Sequence, residues 1–349
     1  MYIQKLKLHQ FRNYESLEIE LDKEKNIFYG NNAQGKTNLL EAIFLSGFAK
    51  SFRTQKEKEL IQSGKDEAIV EIIYQRKDRD GKIRIEIGEK KTFFINGIKV
   101  KKLSEILGKI NLVFFYPDSI EMIKQGPNKR RKFLDMMIGQ LKPSYIYYCN
   151  QYLKTLEQRN IYLRQIKFDN KPEEMLEIWD EKLAEYGEKI FNERKIYLEK
   201  IADKIEKIHK EITENKEVIS IKYLSSYHEN YLKELKTKRK IDIQKGFTTY
   251  GIHRDDFLVF LNGKDLSAFG SQGQQRSSVI SLKLTELAII EEEIGEKPIL
   301  LLDDFMSELD ENRRNRFLEK ITQNQVIITC TEKLKGIDGK TFHVQNGRI

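Results

Sequence analysis

Cysteine is nearly absent from this sequence, with only Cys149 and Cys330 in 349 residues. Two thiols make neither a disulfide framework nor a zinc site, so both are expected to be small buried apolar residues. Long hydrophobic runs are missing too. No stretch approaches the roughly 18 apolar residues that span a membrane, and the opening MYIQKLKLHQF lacks the apolar core of a secretion signal. No membrane partner is expected, and the protein is expected in the cytoplasm. Neither internal repeats nor low-complexity linkers interrupt the chain. Nor does one sign of charge dominate, since 62 Lys and Arg stand against 54 Asp and Glu for a net charge of +8. Such an excess suits an anionic partner, but it equally suits a solvated lysine-rich surface. The length allows a large core, in one long domain or two coupled lobes.

What is present is a nucleotide site split between the two ends of the chain. GNNAQGKT, formed by Gly30, Asn31, Asn32, Ala33, Gln34, Gly35, Lys36 and Thr37, satisfies G-x-x-x-x-G-K-[ST]. In that pattern glycines let backbone N–H groups approach phosphates, the lysine neutralises them and the hydroxyl can ligate Mg²⁺. A short strand over Asn26 to Tyr29 runs into the loop and an apolar helix over Asn38 to Gly47 leaves it, so a helix N-terminus faces the phosphates. The second half is PILLLDDFMSELD, Pro298 to Asp310. Its apolar run reads as a central parallel strand, with Asp303 and Asp304 at the carboxyl edge where open α/β sheets bind ligands. Asp303 suits Mg²⁺ or its bound water, and Asp304 suits a group that orients the water attacking a γ-phosphate. Lys36, Asp303 and Asp304 are thus the candidate catalytic residues, with Thr37 and Asp303 as metal ligands. Asp310 is placed to cap a helix over Glu311 to Ile321.

Between these ends the hydrophobic period changes twice. Tyr2 to Leu8 and Leu17 to Leu21 read as strands, and Ala68 to Val100 reads as an antiparallel meander with turns at Asp80-Gly81 and Asn96-Gly97. From Pro143 to about Lys216 the period is helical. Phe168 to Pro172 reverses the chain to give a helical hairpin, whose second arm carries an apolar stripe from Leu176 to Ile212. The stripe recurs about every 3.6 residues rather than the 3.5 of a left-handed supercoil, so long coiled-coil arms are not expected. After Phe247 the pattern returns to α/β, with strands near Thr248 to Gly251 and Phe257 to Leu261, a helix over Gln274 to Ile290, and a strand over Val326 to Thr329 beside the aspartate strand. Residues 1–125 and 246–349 are expected to form a discontinuous head, and residues 126–245 an inserted helical lobe.

A second anion site is written in AFGSQGQQRSS, Ala268 to Ser278. Ser271, Gln272, Gly273 and Gln274 open a helix whose unpaired N–H groups and dipole favour phosphate. Two such helix ends do not obviously fit one triphosphate within one chain, which points to service of a partner subunit's nucleotide. A plain capped helix is the alternative.

The phosphate loop, SQGQQ, LLLDD and SELD in this order, together with Phe11-Arg12-Asn13-Tyr14, Ser51-Phe52-Arg53-Thr54, Phe115 to Asp118 and His253-Arg254-Asp255-Asp256, resemble the RecF family, recombination-repair ATPases with an ABC-type head related to SMC proteins. The resemblance implies an α/β P-loop NTPase of ABC/SMC-head type, with a mixed central sheet, an antiparallel β subdomain and an inserted α-helical lobe. It implies that two copies close on two ATP molecules, with Ser271, Gly273 and Gln274 of one meeting the γ-phosphate held by Lys36 of the other. Arg12 joins the ATP contacts, and Ser307 to Asp310 correspond to a D-loop at the dimer seam. Implied partners are double-stranded DNA and single-strand/double-strand junctions, RecR, RecO and RecA, with slow, DNA-stimulated hydrolysis acting as a switch. Asp304 stands where many ABC ATPases have the longer glutamate, no switch histidine follows Thr329, and Ile252 stands where the family has proline. A Q-loop glutamine is not placed; the region of Pro117 and Asp118 is the nearest counterpart.

Four basic clusters are candidates for phosphate contacts: Lys50, Arg53, Lys56 and Lys58; Lys99, Lys101 and Lys102; Lys129, Arg130, Arg131 and Lys132; and Lys236, Lys238, Arg239 and Lys240. Those around Arg53 and Lys129 are favoured, although Arg53 also suits an ATP contact. A scaffold that keeps ATP as a structural ligand is the alternative function. A transporter ATPase is disfavoured by the long interval between Gly35 and Ser271.

Overall fold

A computed structural model describes residues 1–227, 230–334 and 336–349, with the side chains of Ser307, Glu308 and Asn312 excepted. The chain divides into two units, residues 1–119 with 280–349, and residues 120–279. Residues 246–279, expected with the head, therefore pack with the helical unit.

The first unit begins with β1 (Tyr2–Phe11), β2 (Tyr14–Glu20), β3 (Lys25–Tyr29) and α1 (Lys36–Phe48), followed by β4 (Ala68–Gln75), β5 (Asp80–Ile87), β6 (Thr92–Ile95), β7 (Ile98–Lys99) and β8 (Leu112–Phe115). The second contains α2 (Glu121–Lys124), α3 (Pro127–Leu141), α4 (Pro143–Asp169), α5 (Leu176–Thr213), β9 (Ile219–Leu224), α6 (Tyr231–Lys245), β10 (Asp256–Leu261), β11 (Lys264–Asp265), α7 (Leu266–Phe269) and the start of α8 (Gln272–Ile294). The chain then returns through β12 (Ile299–Asp303), α9 (Glu311–Lys320), β13 (Val326–Cys330) and β14 (Lys340–His343).

The expected mixture of strand directions is met by two sheets of the first unit rather than one. One has five strands in the order β14-β3-β13-β12-β8, and every pairing in it is parallel. The other has six strands in the order β2-β1-β4-β5-β6-β7, all antiparallel. All of β12 is buried, as befits a strand flanked on both edges and covered on both faces. Helix α1 touches strands of both sheets, which explains why it is buried nearly all round and has no polar face.

Two sequence expectations give way to packing. Asp80-Gly81 is not a turn but the start of β5, paired with Gln75 and Tyr74, and the chain reverses at Arg76 to Arg79 instead. A Cβ on Gly81 would lie 2.3 Å from the Tyr74 ring, so the glycine serves an aromatic neighbour across the sheet. Asn96-Gly97 does form its turn, with φ of 51° and 81°. Thr248 to Gly251 is not a strand: Thr248 N–H and Thr249 N–H donate to Asn160 and Asp242 side chains rather than to a ladder.

In the second unit α4 and α5 form the expected hairpin, with α6 against both. Its interior is charged as well as apolar. Fully buried Arg159 donates to Asp180 and Asp242 at 2.7 Å each and to Thr248 Oγ1 at 2.8 Å, fastening α4 to α5 and α6. Such a network costs desolvation, and it tolerates loss of one partner badly. Among the described residues no helix is long and apolar enough to cross a membrane.

Candidate nucleotide site

The phosphate loop leaves the end of β3 and enters α1, and its shape requires glycine at two points. Gly30 has φ 152° and a Cβ there would lie 2.3 Å from the Val344 carbonyl oxygen; Gly35 has φ 116° and a Cβ would lie 2.5 Å from the Asn13 side chain. Both conformations are open to glycine and strained for other residues. No side chain caps α1, so its first turn is left to a ligand. Lys36 is buried, and its ammonium lies within the loop, donating to the Gly30 and Asn31 carbonyls at 2.6 and 2.9 Å.

The two ends of the sequence meet at Thr37, whose Oγ1 donates to Asp303 Oδ1 at 2.9 Å. Thr329, at the neighbouring position on β13, donates to the same oxygen at 2.7 Å. Burial raises the Asp303 pKa and Asp304 raises it further, while hydrogen bonds from Thr329 and Thr37 pull it back. Asp304 has left-handed backbone, φ 47°, and its N–H donates to Thr329 Oγ1 at 3.1 Å. Thr329 thus ties both acidic residues to β13, a role that sequence reasoning missed. The only signal was a threonine in the otherwise apolar run Val326 to Cys330.

A polar ladder supports the loop from the opposite side. Asn13 Nδ2 donates to the Gln34 carbonyl at 2.8 Å, Asn38 Nδ2 to Asn13 Oδ1 at 2.7 Å, and Arg53 Nη1 to Asn38 Oδ1 at 2.6 Å. Arg12 grips buried Glu41 of α1 through two bonds of 2.8 and 2.7 Å. Arg12 and Arg53 therefore lie at the opening of α1, and Arg53 stands by the nucleotide loop rather than on a separate basic face. Gln34 is also bound by the backbone N–H groups of Asn346 and Gly347, a further contact invisible in the sequence. Asn31, Asn32 and Ala33 are exposed at the loop crest. Tyr116 to Asp118, the nearest Q-loop counterpart, follow β8, the strand beside β12.

Ser271 and Gln274 form a capping box at the start of α8: Ser271 Oγ accepts the Gln274 N–H at 3.3 Å, and Gln274 Oε1 accepts the Ser271 N–H at 2.9 Å. Ser271 and Gln272 are exposed, whereas Gly273 and Gln274 are half-buried. Asp310 caps α9 by accepting the Arg313 N–H at 2.9 Å. The Ser307 side chain, expected beside it at a dimer seam, lies outside the described residues.

The basic clusters sort by their partners. Arg130 is buried and bidentate to Asp256 at 2.6 and 2.8 Å, which removes it from the expected phosphate contacts. Arg131 is bonded to the Asp255 carbonyl and to Asn128, Lys129 pairs with Glu121, and Lys56 pairs with Glu59. Lys236 and Arg239 pair with Glu177 and Asp180. Lys99, Lys101 and Lys102 are exposed and have no ion pair among the described residues.

The family model described as RecF/RecN/SMC N terminal domain matches residues 2–341. A protein of Clostridium acetobutylicum named DNA replication and repair protein RecF is 46% identical, over 100% of this chain and 99% of that one. The chain belongs to the RecF family. A relative of that name from Agathobacter rectalis is 40% identical, again over 100% of this chain and 99% of its own length. A solved structure of the recombination mediator protein RecF with ATP, in the RecFOR pathway, superposes with a TM-score of 0.93 at 40% identity, covering 99% of this chain and 96% of that one. An Smc head domain from Pyrococcus furiosus has a TM-score of 0.57 at 18% identity, over 99% of this chain and 94% of its own, a likeness of fold alone. The protein thus has the ATPase-type fold of RecF and SMC heads and the DNA replication and repair role of its family.

Proposed function

We propose that this RecF-family protein binds ATP in the loop Gly30 to Thr37 and that ATP closes two copies on DNA, slow hydrolysis then releasing them. The Thr37–Asp303 contact carries the reading. It brings the hydroxyl of the phosphate loop against a buried carboxylate from the far end of the chain, and two hard oxygen donors side by side fit Mg²⁺. Thr37 and Asp303 would hold that ion, which neutralises phosphate charge when bound. Lys36 exchanges its loop carbonyl partners for β- and γ-phosphate oxygens, and Asp304 orients water and accepts its proton. Ser271, with the N–H groups of Gln272 and Gly273, meets the γ-phosphate of the partner copy, and Asp310 lies at the seam between copies.

For DNA we favour Lys99, Lys101 and Lys102, because cations without carboxylate partners release the most counterions on binding phosphates and read no sequence. Duplexes and single-strand/double-strand junctions are the proposed targets. RecR and RecO are the proposed partners in loading RecA, following the pathway of the ATP-bound relative.

The test is sedimentation with ATP and duplex DNA. Lys36→Met should lose nucleotide binding, whereas Ser271→Arg should keep it and lose both ATP-driven self-association and DNA-stimulated hydrolysis. Equal loss of ATP binding in the two variants, or no association of the parent protein with ATP, would sink action in trans.

A further inference from the structure

The residue that fixes the turn of Ser271 stands outside it. Gln274 uses both ends of its side-chain amide. Its oxygen accepts the Ser271 N–H at 2.9 Å, and its nitrogen donates to Glu217 Oε1 at 3.0 Å. An amide that caps a helix start can turn over, exchanging oxygen for nitrogen, and then the cap is lost. A carboxylate on one side forbids this, because an ionised carboxylate accepts only and must be met by the NH₂. Glu217 is itself held. Its second oxygen lies 3.3 Å from Nε2 of buried His209, on the penultimate turn of α5, and the next residue, Val218, is anchored through its N–H to Asn262 Oδ1 at 2.8 Å.

We infer that Glu217 is a positioning residue for the trans ATP contact: by holding the Gln274 amide in one orientation it keeps Ser271 aimed outward from the start of α8. This rests on the proposed action of Ser271 on a partner copy's nucleotide and adds a control point at the end of the long hairpin arm. What matters is that the ionised carboxylate can only accept. Glutamine reaches the same point and can accept from Gln274, but it can also turn over, so it restores the cap in part, while a side chain too short to reach Gln274 does not.

The experiment compares Glu217→Ala, Glu217→Gln and Ser271→Arg with the parent in three measurements: nucleotide affinity at dilutions where the protein is monomeric, ATP-driven dimerisation by sedimentation, and hydrolysis with DNA. Glu217→Ala should bind ATP like the parent but dimerise about tenfold more weakly, the scale of one hydrogen bond to a charged group. Glu217→Gln should fall between the alanine variant and the parent, a partial rescue that bulk loss of packing would not show. Should alanine leave the α5–β9 connection unfolded by thermal melting, Glu217→Ser repeats the test with a hydroxyl too short to reach Gln274. Parent-like dimerisation by the alanine variant while Ser271→Arg is blocked overturns the role of Glu217 alone, as does a glutamine variant as defective as alanine. If Ser271→Arg itself dimerises normally with ATP, the trans reading fails and this inference with it.

Discussion

Two helices of this protein open on turns to which the proposed function gives a phosphate, and they are built in opposite ways. Helix α1 starts from a left-handed glycine with no side-chain cap, so no side chain competes for its first N–H groups, and its fixed lysine lies among loop carbonyls. Helix α8 starts from a reciprocal cap in which Ser271 and Gln274 already satisfy two N–H groups. A start without a side-chain cap leaves its outermost N–H groups to water or to an anion. A capped start is stable alone and offers only a hydroxyl proton and two remaining N–H groups. The first suits constitutive nucleotide binding, and the second a contact made only when another surface brings the phosphate to it. The proposed function uses one of each: a turn that binds ATP within one copy, and a turn that meets it only when a second copy closes.

The contrast is broken most severely at the first site. Asp303→Asn keeps the shape and both threonine bonds but removes the negative charge beside Thr37. Hydrolysis should fall on the order of 10²-fold or more, as for loss of one charge-stabilising group at a reacting phosphate. Steady-state phosphate release checks this. Metal dependence should change with it, the Mg²⁺ requirement shifting to higher concentration, whereas Ser271→Arg should leave that requirement unmoved. A parent-like rate in Asp303→Asn would break the assignment of the metal to this end of the loop.

Acid separates the two regions next. In the second unit, burial pushes the His253 pKa down to about 4, with Arg254 and Arg131 acting in the same sense and the Thr248 carbonyl and Asp242 opposing. The ring is neutral in the folded state, with Nδ1 at 2.9 Å from the Tyr152 hydroxyl and Nε2 at 3.3 Å from the Thr248 carbonyl. In the unfolded chain it titrates near its ordinary value of about 6.5. The folded pKa is depressed, so the unfolded state binds the extra proton. Stability is fully present above about pH 6.5 and is lost as pH falls toward 4, by up to about 3 kcal/mol. Urea unfolding of the parent and His253→Gln at pH 7.5 and 4.5 measures it, the variant losing less. Equal losses would mean the ring is already charged in the fold.

Much of the first site was legible because its residues are consecutive: the loop Gly30 to Thr37 and the pair Asp303-Asp304 each state their chemistry within one short string. The helical hairpin was legible from its period. What could not be read is whatever depends on distant residues meeting. Asn13 and Asn38 support the loop only because β1 and β2 carry Asn13 to Gln34, and Thr329 reaches Asp303 only through the register of β13 on β12. Basic strings misled for the same reason. Arg130 lies among cations in sequence, yet in the fold it faces Asp256, a residue 126 positions away. The Asp80-Gly81 turn statistic likewise lost to the packing of Tyr74 on Gly81.

The finest test concerns the cluster in which every lysine is exposed and lacks an ion pair among the described residues. At the β6–β7 hairpin, Ile98, Lys99, Lys101 and Lys102 are exposed. If this hairpin follows the DNA backbone, replacing the three lysines with glutamate should weaken duplex binding in the presence of ATP. It should also flatten the dependence of log affinity on log salt by about three, one unit for each phosphate no longer neutralised. Lys129→Glu, which removes a cation already paired with Glu121, should change that slope by less than one. ATP binding should be unaffected in both, because neither change touches the loop at α1. A triple variant with the parent's salt slope would move the DNA-binding surface off this hairpin, and a large effect of Lys129→Glu would show that an ion pair seen in one copy opens when DNA competes for the lysine.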